Sequence, residues 1–259
     1  MTLTDRRELN GRADTQALLG DRVIVIARRG SWVKVVVPDQ PTPLDARGYP
    51  GWVPTAQLTP LRPVASRWVA TVVARTTYLR TDNASATPVT EISFGTRLPR
   101  VGVTGGWVRV ATPGGRVLRL ADNAVVVRAP NAAALASAGA DVVRTAQMFN
   151  GLPYLWAGRS GFGFDCSGLT SLDLRAHGVV IPRDADAQAA TGTAVSIGAL
   201  RPGDLLFYAT RGYVHHVSIY AGNGTMVQAP QTGSTVQTIP MSTPSYAREL
   251  SGARRVIGG

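Results

Sequence analysis

L-P-Y-L-W-A-G-R-S-G-F-G-F-D-C-S-G-L-T-S-L-D, residues 152 to 173, is the stretch whose reading decides the fold. It holds the only cysteine in 259 residues, Cys166, between Asp165 and Ser167. Gly158, Gly161 and Gly163 punctuate a loop ahead of it. Beyond it Leu169, Leu172 and Ala176 recur at three- and four-residue spacing and Gly178 supplies a stop, which predicts a helix. Cys166 then falls on the first turn, where unpaired N–H groups and the helix dipole favour negative charge and ease formation of a thiolate. A lone cysteine is more often a small buried hydrophobe. This one sits between Asp and Ser after a glycine-rich loop, so a downstream histidine decides between the two readings.

Downstream, Pro202-Gly203-Asp204-Leu205-Leu206-Phe207 reads as a turn and a buried strand, V-H-H-V-S-I-Y (214–220) as a second strand, and T-M-V-Q-A-P (225–230) as a third. Alternation sends His215 and His216 to opposite faces, so only one can face Cys166. His177, beside Gly178, reads as a helix-end residue. With Asp-Cys-Ser-Gly, Pro-Gly-Asp-Leu and His-Val-x-Ile-Tyr in this order, the segment from about Ala140 to Gly259 resembles the NlpC-type family of cell-wall cysteine peptidases.

The resemblance implies an α+β, papain-like catalytic domain. Cys166 matches its nucleophile and His216 its general base, able to take the thiol proton. Gln228 falls on the third position, where the amide oxygen accepts a hydrogen bond from the far imidazole nitrogen. The Cys166 backbone N–H, helped by Tyr154, would form the oxyanion hole. On their own Tyr154 and Trp156 read as core aromatics; the resemblance puts both on the groove wall and counts Asp165 and Ser167 among the substrate-binding residues. Pro182-Arg183-Asp184-Ala185-Asp186-Ala187-Gln188 would otherwise read as a solvated loop. It matches a family segment in which Asp184 contacts the peptide, while Ala185 stands where a serine is usual.

Residues 14 to 128 contain a repeat. Gly20-Asp21-Arg22, a buried run and Trp32-Val33-Lys34-Val35 parallel Gly95-Thr96-Arg97, a buried run and Trp107-Val108-Arg109-Val110, with Gly and Trp twelve residues apart in each copy. Short β-rich runs broken by Gly and Pro predict two small β-barrels, and both resemble bacterial SH3-like domains. The expected boundaries are 1–62 and 63–129 for the barrels and 130–259 for the catalytic domain, the last entered through the alanine-rich 128–140. Packing is the expected job of the second barrel. In the first, residues 39–54 (D-Q-P-T-P-L-D-A-R-G-Y-P-G-W-V-P) read as a proline-stiffened surface loop. The same residues resemble a loop of the γ-D-glutamyl-L-diamino-acid endopeptidases (dipeptidyl-peptidase VI type), where the first barrel closes one end of the groove. That resemblance makes Tyr49 and Asp14 the partners of the free amine of the substrate's L-alanine, Asp14 standing where a glutamate is usual.

The hydrophobic share of 44 % and charged share of 17 % describe a globular chain. The net charge is +11, with Lys34 the only lysine. Its arginines are scattered without a basic stripe, which argues against nucleic acid and suits an anionic substrate. One cysteine permits no internal disulfide, and no C-x-x-C or His cluster offers a zinc site, so neither metal nor cofactor is expected. No apolar run is long enough for a signal peptide or membrane span, which points to the cytoplasm; a trimmed signal would instead mean secretion to the wall. The expectation is therefore a monomeric cysteine peptidase acting on peptidoglycan-derived L-Ala-γ-D-Glu-diamino-acid peptides. Its competitors are a wall-acting endopeptidase or amidase using the barrels as anchors, and a non-catalytic wall-binding protein.

Overall fold

The computed structural model describes residues 1–62 and 64–258. Pro63, where the second barrel is expected to begin, lies outside the described residues, as does Gly259.

A short helix α1 (Leu3–Glu8), capped by Thr2, opens the chain. Three antiparallel strands follow, β1 (Ile24–Arg29), β2 (Trp32–Val37) and β3 (Tyr49–Pro54), in the order β1-β2-β3. The residues read as one loop, 39–54, thus divide: the loop ends at Gly48, and Tyr49 begins a strand paired with Val37. Gly48 makes this possible. Its φ is +133°, and a Cβ there would lie 2.3 Å from the Val37 carbonyl oxygen, so no other residue fits without moving the backbone.

The second domain holds β4 (Val69–Val72), β5 (Thr76–Thr81), β6 (Pro88–Ser93), β7 (Arg97–Thr104), β8 (Trp107–Ala111), β9 (Val117–Ala121) and β10 (Val125–Arg128). They form one sheet in the order β10-β4-β7-β8-β9-β5-β6. In both copies the Gly–Trp spacing is a hairpin, β1–β2 and β7–β8.

Helix α2 (Gly139–Gln147) buries Val142, Val143 and Ala146. It ends three residues before the expected Asn150-Gly151, and tighter turns carry the chain on to Gly151 at φ +85°. A small hairpin, β11 (Arg159–Ser160) and β12 (Gly163–Phe164), leads into α3 (Cys166–Ala176) and then α4 (Ala185–Gln188). The rest is a six-stranded sheet of β13 (Thr193–Ala194), β14 (Leu205–Thr210), β15 (Tyr213–Gly222), β16 (Thr225–Gln228), β17 (Gln237–Pro240) and β18 (Leu250–Arg255), with α5 (Pro244–Glu249) before the last strand. Its order is β13-β18-β14-β15-β16-β17, every pair antiparallel.

One core joins the three parts. Leu18 of the first domain and Phe94 of the second are buried in the same cluster as Val142, Phe149, Phe164, Leu172 and Val217 of the catalytic domain. Phe149 makes edge contacts with Phe94 at 5.3 Å and Phe164 at 4.8 Å. Polar bonds reinforce the joint: Gly161 N–H donates to Ser93 Oγ at 2.7 Å, and Gln16 Oε1 accepts from Arg159 N at 2.8 Å. The barrels are therefore fixed against the loop that precedes Cys166. Among the described residues no helix is long and apolar enough to cross a membrane.

Candidate active site

Cys166 is the first residue of α3, and Asp165 is its N-cap: the carboxylate accepts from Gly168 N at 2.6 Å. The glycine of Asp-Cys-Ser-Gly is required by a close approach, because a Cβ on Gly168 would lie 2.0 Å from the Gly158 carbonyl oxygen. The glycine-rich loop and helix start are thus pressed together, with Asp165 N–H bonded to Gly158 O at 3.0 Å.

Strand β15 runs beside this helix start. The backbone N–H groups of Val217 and Ser167 favour the thiolate form of Cys166. His216, the residue before Val217, is 6 % exposed, whereas His215 faces outward with Nε2 3.4 Å from Glu249 Oε2. Alternation separates the two as expected, even though the strand carries a bulge opposite Tyr208 and Ala209. His216 Nε2 lies 2.6 Å from Oε1 of the fully buried Gln228, which leaves Nδ1 for a second partner. The tyrosine rings of Tyr208 and Tyr246 flank the imidazole at 5.3 and 5.6 Å.

The electrostatics correct one expectation. The helix N-terminus does not make the resting thiol acidic. Burial outweighs it and pushes Cys166 up to about 12, with Asp165 adding to the rise and the Val217 N–H opposing it. Burial likewise depresses His216 to about 4, against the Gln228 hydrogen bond. Both shifts favour the uncharged forms, a thiol and a neutral imidazole. Tyr154, 6 % exposed, is held protonated by burial and by the adjacent Cys166, so its hydroxyl is a donor beside the sulfur.

Asp165 supports the site through a buried ion pair. Arg183, 1 % exposed, grips it with Nη2–Oδ2 at 2.6 Å and Nη1–Oδ1 at 3.0 Å. The same guanidinium donates to Ser167 Oγ at 2.9 Å and to Thr15 Oγ1 at 2.8 Å. Sequence reading quotes Arg183 without giving it a role, because a lone arginine in a polar run carries no sign of burial. Gln188, from the same run, is also buried, with Nε2 donating to the carbonyls of Ser167 and Pro182.

Asp14, Tyr49 and Asp184 come together on the side where the first domain meets the catalytic domain. Tyr49 Oη donates to Asp184 Oδ1 at 3.4 Å. Burial, then the charge of Asp184 and more weakly that of Asp14, keeps the phenol protonated. Asp14 is exposed, its Oδ2 facing Gly51 of β3. Ala185 is buried behind Asp184 and offers no hydroxyl. Trp156 is half-exposed, and its indole N–H donates to the Ala13 carbonyl at 2.9 Å, tying the segment that carries Asp14 to the rim of the site.

Comparison with known proteins agrees with this layout. The family model described as NlpC/P60 family matches residues 151–255, that described as bacterial dipeptidyl-peptidase Sh3 domain matches 5–58, and that described as YKFC SH3b2 domain matches 72–131. The chain is similar to a gamma-D-glutamyl-L-lysine dipeptidyl-peptidase of Bacillus cereus, 41 % identical over 99 % of this chain and 80 % of the relative. A protein of the same name from Bacillus subtilis is 38 % identical over 93 % of this chain and 80 % of that one. A crystal structure of an NlpC/P60 family protein from Bacillus cereus superposes with a TM-score of 0.94 at 40 % identity, covering 100 % of this chain and 87 % of the other.

Proposed function

Because the chain belongs to the NlpC/P60 family, with two SH3-like domains ahead of the peptidase domain, we propose that it is a cysteine peptidase cleaving γ-D-glutamyl–diamino-acid bonds in peptides that begin with a free L-alanine. The observation that carries this reading is the cluster of Asp14, Tyr49 and Asp184, which neighbours the Arg183 that braces the Cys166 helix through Asp165. Two carboxylates around one phenol make a site for a single ammonium group. It is built from two domains, so the end of the substrate is read where the first domain stops the groove.

In this reading the thiol proton passes to His216 Nδ1 as the sulfur attacks the γ-carbonyl of D-glutamate. The ring keeps its Nε2–H on Gln228. The Cys166 N–H at the start of α3 and the Tyr154 hydroxyl receive the developing oxyanion. His216 returns the proton to the departing amine of the diamino acid. Water then attacks the thioester, releases L-Ala-D-Glu and restores the thiol. The two relatives' names specify L-lysine as the diamino acid, and L-lysine is the residue we propose here. Such a substrate is already detached from glycan, which fits a cytoplasmic recycling enzyme.

The test is mass spectrometry of products from L-Ala-γ-D-Glu-L-Lys, its meso-diaminopimelate counterpart and intact peptidoglycan. Release of L-Ala-D-Glu from the free peptides, with intact wall left untouched, is expected. Digestion of intact wall alone would replace this reading with a wall-acting endopeptidase.

A further inference from the structure

The Gln228 carboxamide has two hydrogen-bonding ends, and the catalytic pair accounts for one. Its Oε1 faces His216 Nε2, while its own Nε2 is buried and has no hydrogen-bond partner among the described residues. A carboxamide has nearly the same shape either way round, so the shape of its cavity alone does not fix which end meets the ring. The choice has a chemical consequence. With oxygen toward the ring, His216 carries its hydrogen on Nε2 and keeps a lone pair on Nδ1 for the thiol proton. With the amide reversed, Gln228 donates to the ring, the ring hydrogen moves to Nδ1, and the thiol meets a nitrogen that cannot accept.

Tyr246, on α5, stands beside this pair. Its ring centroid is 5.6 Å from that of His216 at an interplanar angle of 35°. The second tyrosine of the set, Tyr208, already bonds Ser218 Oγ at 2.8 Å and Met226 Sδ. The Tyr246 phenol is raised by burial, and both the Gln228 side chain and the Cys166 sulfur act on it. Its hydroxyl is therefore within the influence of the amide and of the nucleophile. The other charged or titratable groups acting on His216 are His215, Glu249 and Asp165.

We propose that Tyr246 is a positioning residue: its phenol oxygen accepts the Gln228 Nε2–H, holds Oε1 toward the ring, and so fixes the His216 tautomer that takes the Cys166 proton. This rests on the cysteine-peptidase reading of the site, and not on which peptide is cleaved.

The experiment measures Cys166 alkylation by iodoacetamide against pH for wild type, Tyr246→Phe, Gln228→Ala and the double variant. Tyr246→Phe keeps the ring and removes only the oxygen. It should slow alkylation at pH 7 about threefold to tenfold, the worth of one ordinary hydrogen bond. On the Gln228→Ala background the same change should do nothing, since no amide remains to be held. With L-Ala-γ-D-Glu-L-Lys as substrate, kcat should fall by the same factor while KM stays put. A Tyr246→Phe profile overlapping wild type, or a loss that persists in full without Gln228, overturns the proposal. Long-range nitrogen–proton spectra of wild type give an independent check that needs no variant to fold. They should show the His216 hydrogen on Nε2 at pH 7, and a hydrogen on Nδ1 defeats the idea. A wild type that obeys the alkylation cycle yet leaves the peptide intact would remove the substrate reading and leave the role of Tyr246 standing.

Discussion

Arg183 and Asp165 meet in a two-pronged ion pair directly behind Cys166, although 18 residues separate them in the chain. The guanidinium is 1 % exposed and also bonds Ser167 Oγ and Thr15 Oγ1, so it links the nucleophile's helix to the first domain. Removing one partner of such a pair leaves the other buried and uncompensated, which costs about 3–5 kcal/mol. Arg183→Ala should therefore lower stability by about that much in urea melts. Arg183→Lys should recover only part, because an ammonium cannot make both prongs and the Thr15 bond at once. An Arg183→Ala variant as stable as wild type would mean that water replaces the guanidinium.

Hydrolysis should depend on Cys166 and His216 together. Cys166→Ala and His216→Ala are expected to abolish turnover of L-Ala-γ-D-Glu-L-Lys. His215→Ala, which removes only an outward contact with Glu249, should retain most of it. Gln228→Ala should reduce kcat by less than loss of the thiol, because a free imidazole adopts the right orientation part of the time. Gln228→His should preserve activity through its own ring nitrogen. An inactive His215→Ala beside an active His216→Ala would reverse the assignment of strand faces.

The pH profile follows from the neutral resting pair. His216 is pushed down to about 4 from 6.5, so it remains able to accept a proton well below the ordinary imidazole range. The acid limb of kcat/KM should therefore lie near pH 4–5. With the thiol pushed up to about 12, no loss of activity from Cys166 ionisation is expected through neutral pH. The same shift has a sign for stability. Between pH 4 and 6.5 the unfolded chain binds the proton that folded His216 refuses, so stability falls as pH falls through that window. An acid limb at 6.5 would indicate an imidazole open to water.

The sequence exposes the catalytic line-up because its elements are local. The helix from Cys166, the alternation of His215 and His216 and the spacing of the two hairpins all follow from periodicity within a few residues. What it hides is set by burial and by contacts between domains. The thiol at a helix N-terminus reads as acidic until the desolvation of its surroundings is counted. Arg183, Tyr246 and Gln188 look like surface residues because their partners lie on other elements. Tyr49 reads as part of a loop because only its pairing with Val37 shows that β3 begins there. The amine site proposed at Asp14 and Tyr49 rests on the resemblance of a whole segment, since neither residue type signals an amine site by itself.

Asp173 is a buried acid of a different kind. Among the described residues neither of its oxygens has a hydrogen-bond partner, and His177 Nε2 stands 3.3 Å from one of them. Burial pushes the acid up from 3.8 to about 6, with His177 opposing. Between those values the folded chain binds more protons than the unfolded one, so the contribution of Asp173 is fully present below pH 3.8 and is lost as pH rises through 6. Asp173→Asn is neutral at every pH and should melt about 2–6 °C higher than wild type at pH 7.5, with the advantage gone at pH 4. A lower melting temperature at pH 7.5 would show that the ionised pair with His177 stabilises the helix end.

Recognition of the substrate's amine should rest on Asp14 and Tyr49, and charge and bulk can be separated. A charge-assisted hydrogen bond is worth roughly 1.5–3 kcal/mol, so Asp14→Asn should lower kcat/KM for the free peptide about tenfold to a hundredfold. Tyr49→Phe should cost less, since Asp184 remains beside the same position. N-acetylation of L-alanine removes the charge and adds volume where the segment held by Trp156 closes the site, so it should be worse than either substitution. The measurement compares free and acetylated L-Ala-γ-D-Glu-L-Lys on wild type, Asp14→Asn and the double variant Asp14→Asn/Asp184→Asn. If charge alone were read, the double variant would cleave both peptides equally. A residual preference for the free amine in the double variant reports the steric stop. Equal cleavage of both peptides by wild type would leave the first domain without a part in specificity, and the free-amine reading would fall with it.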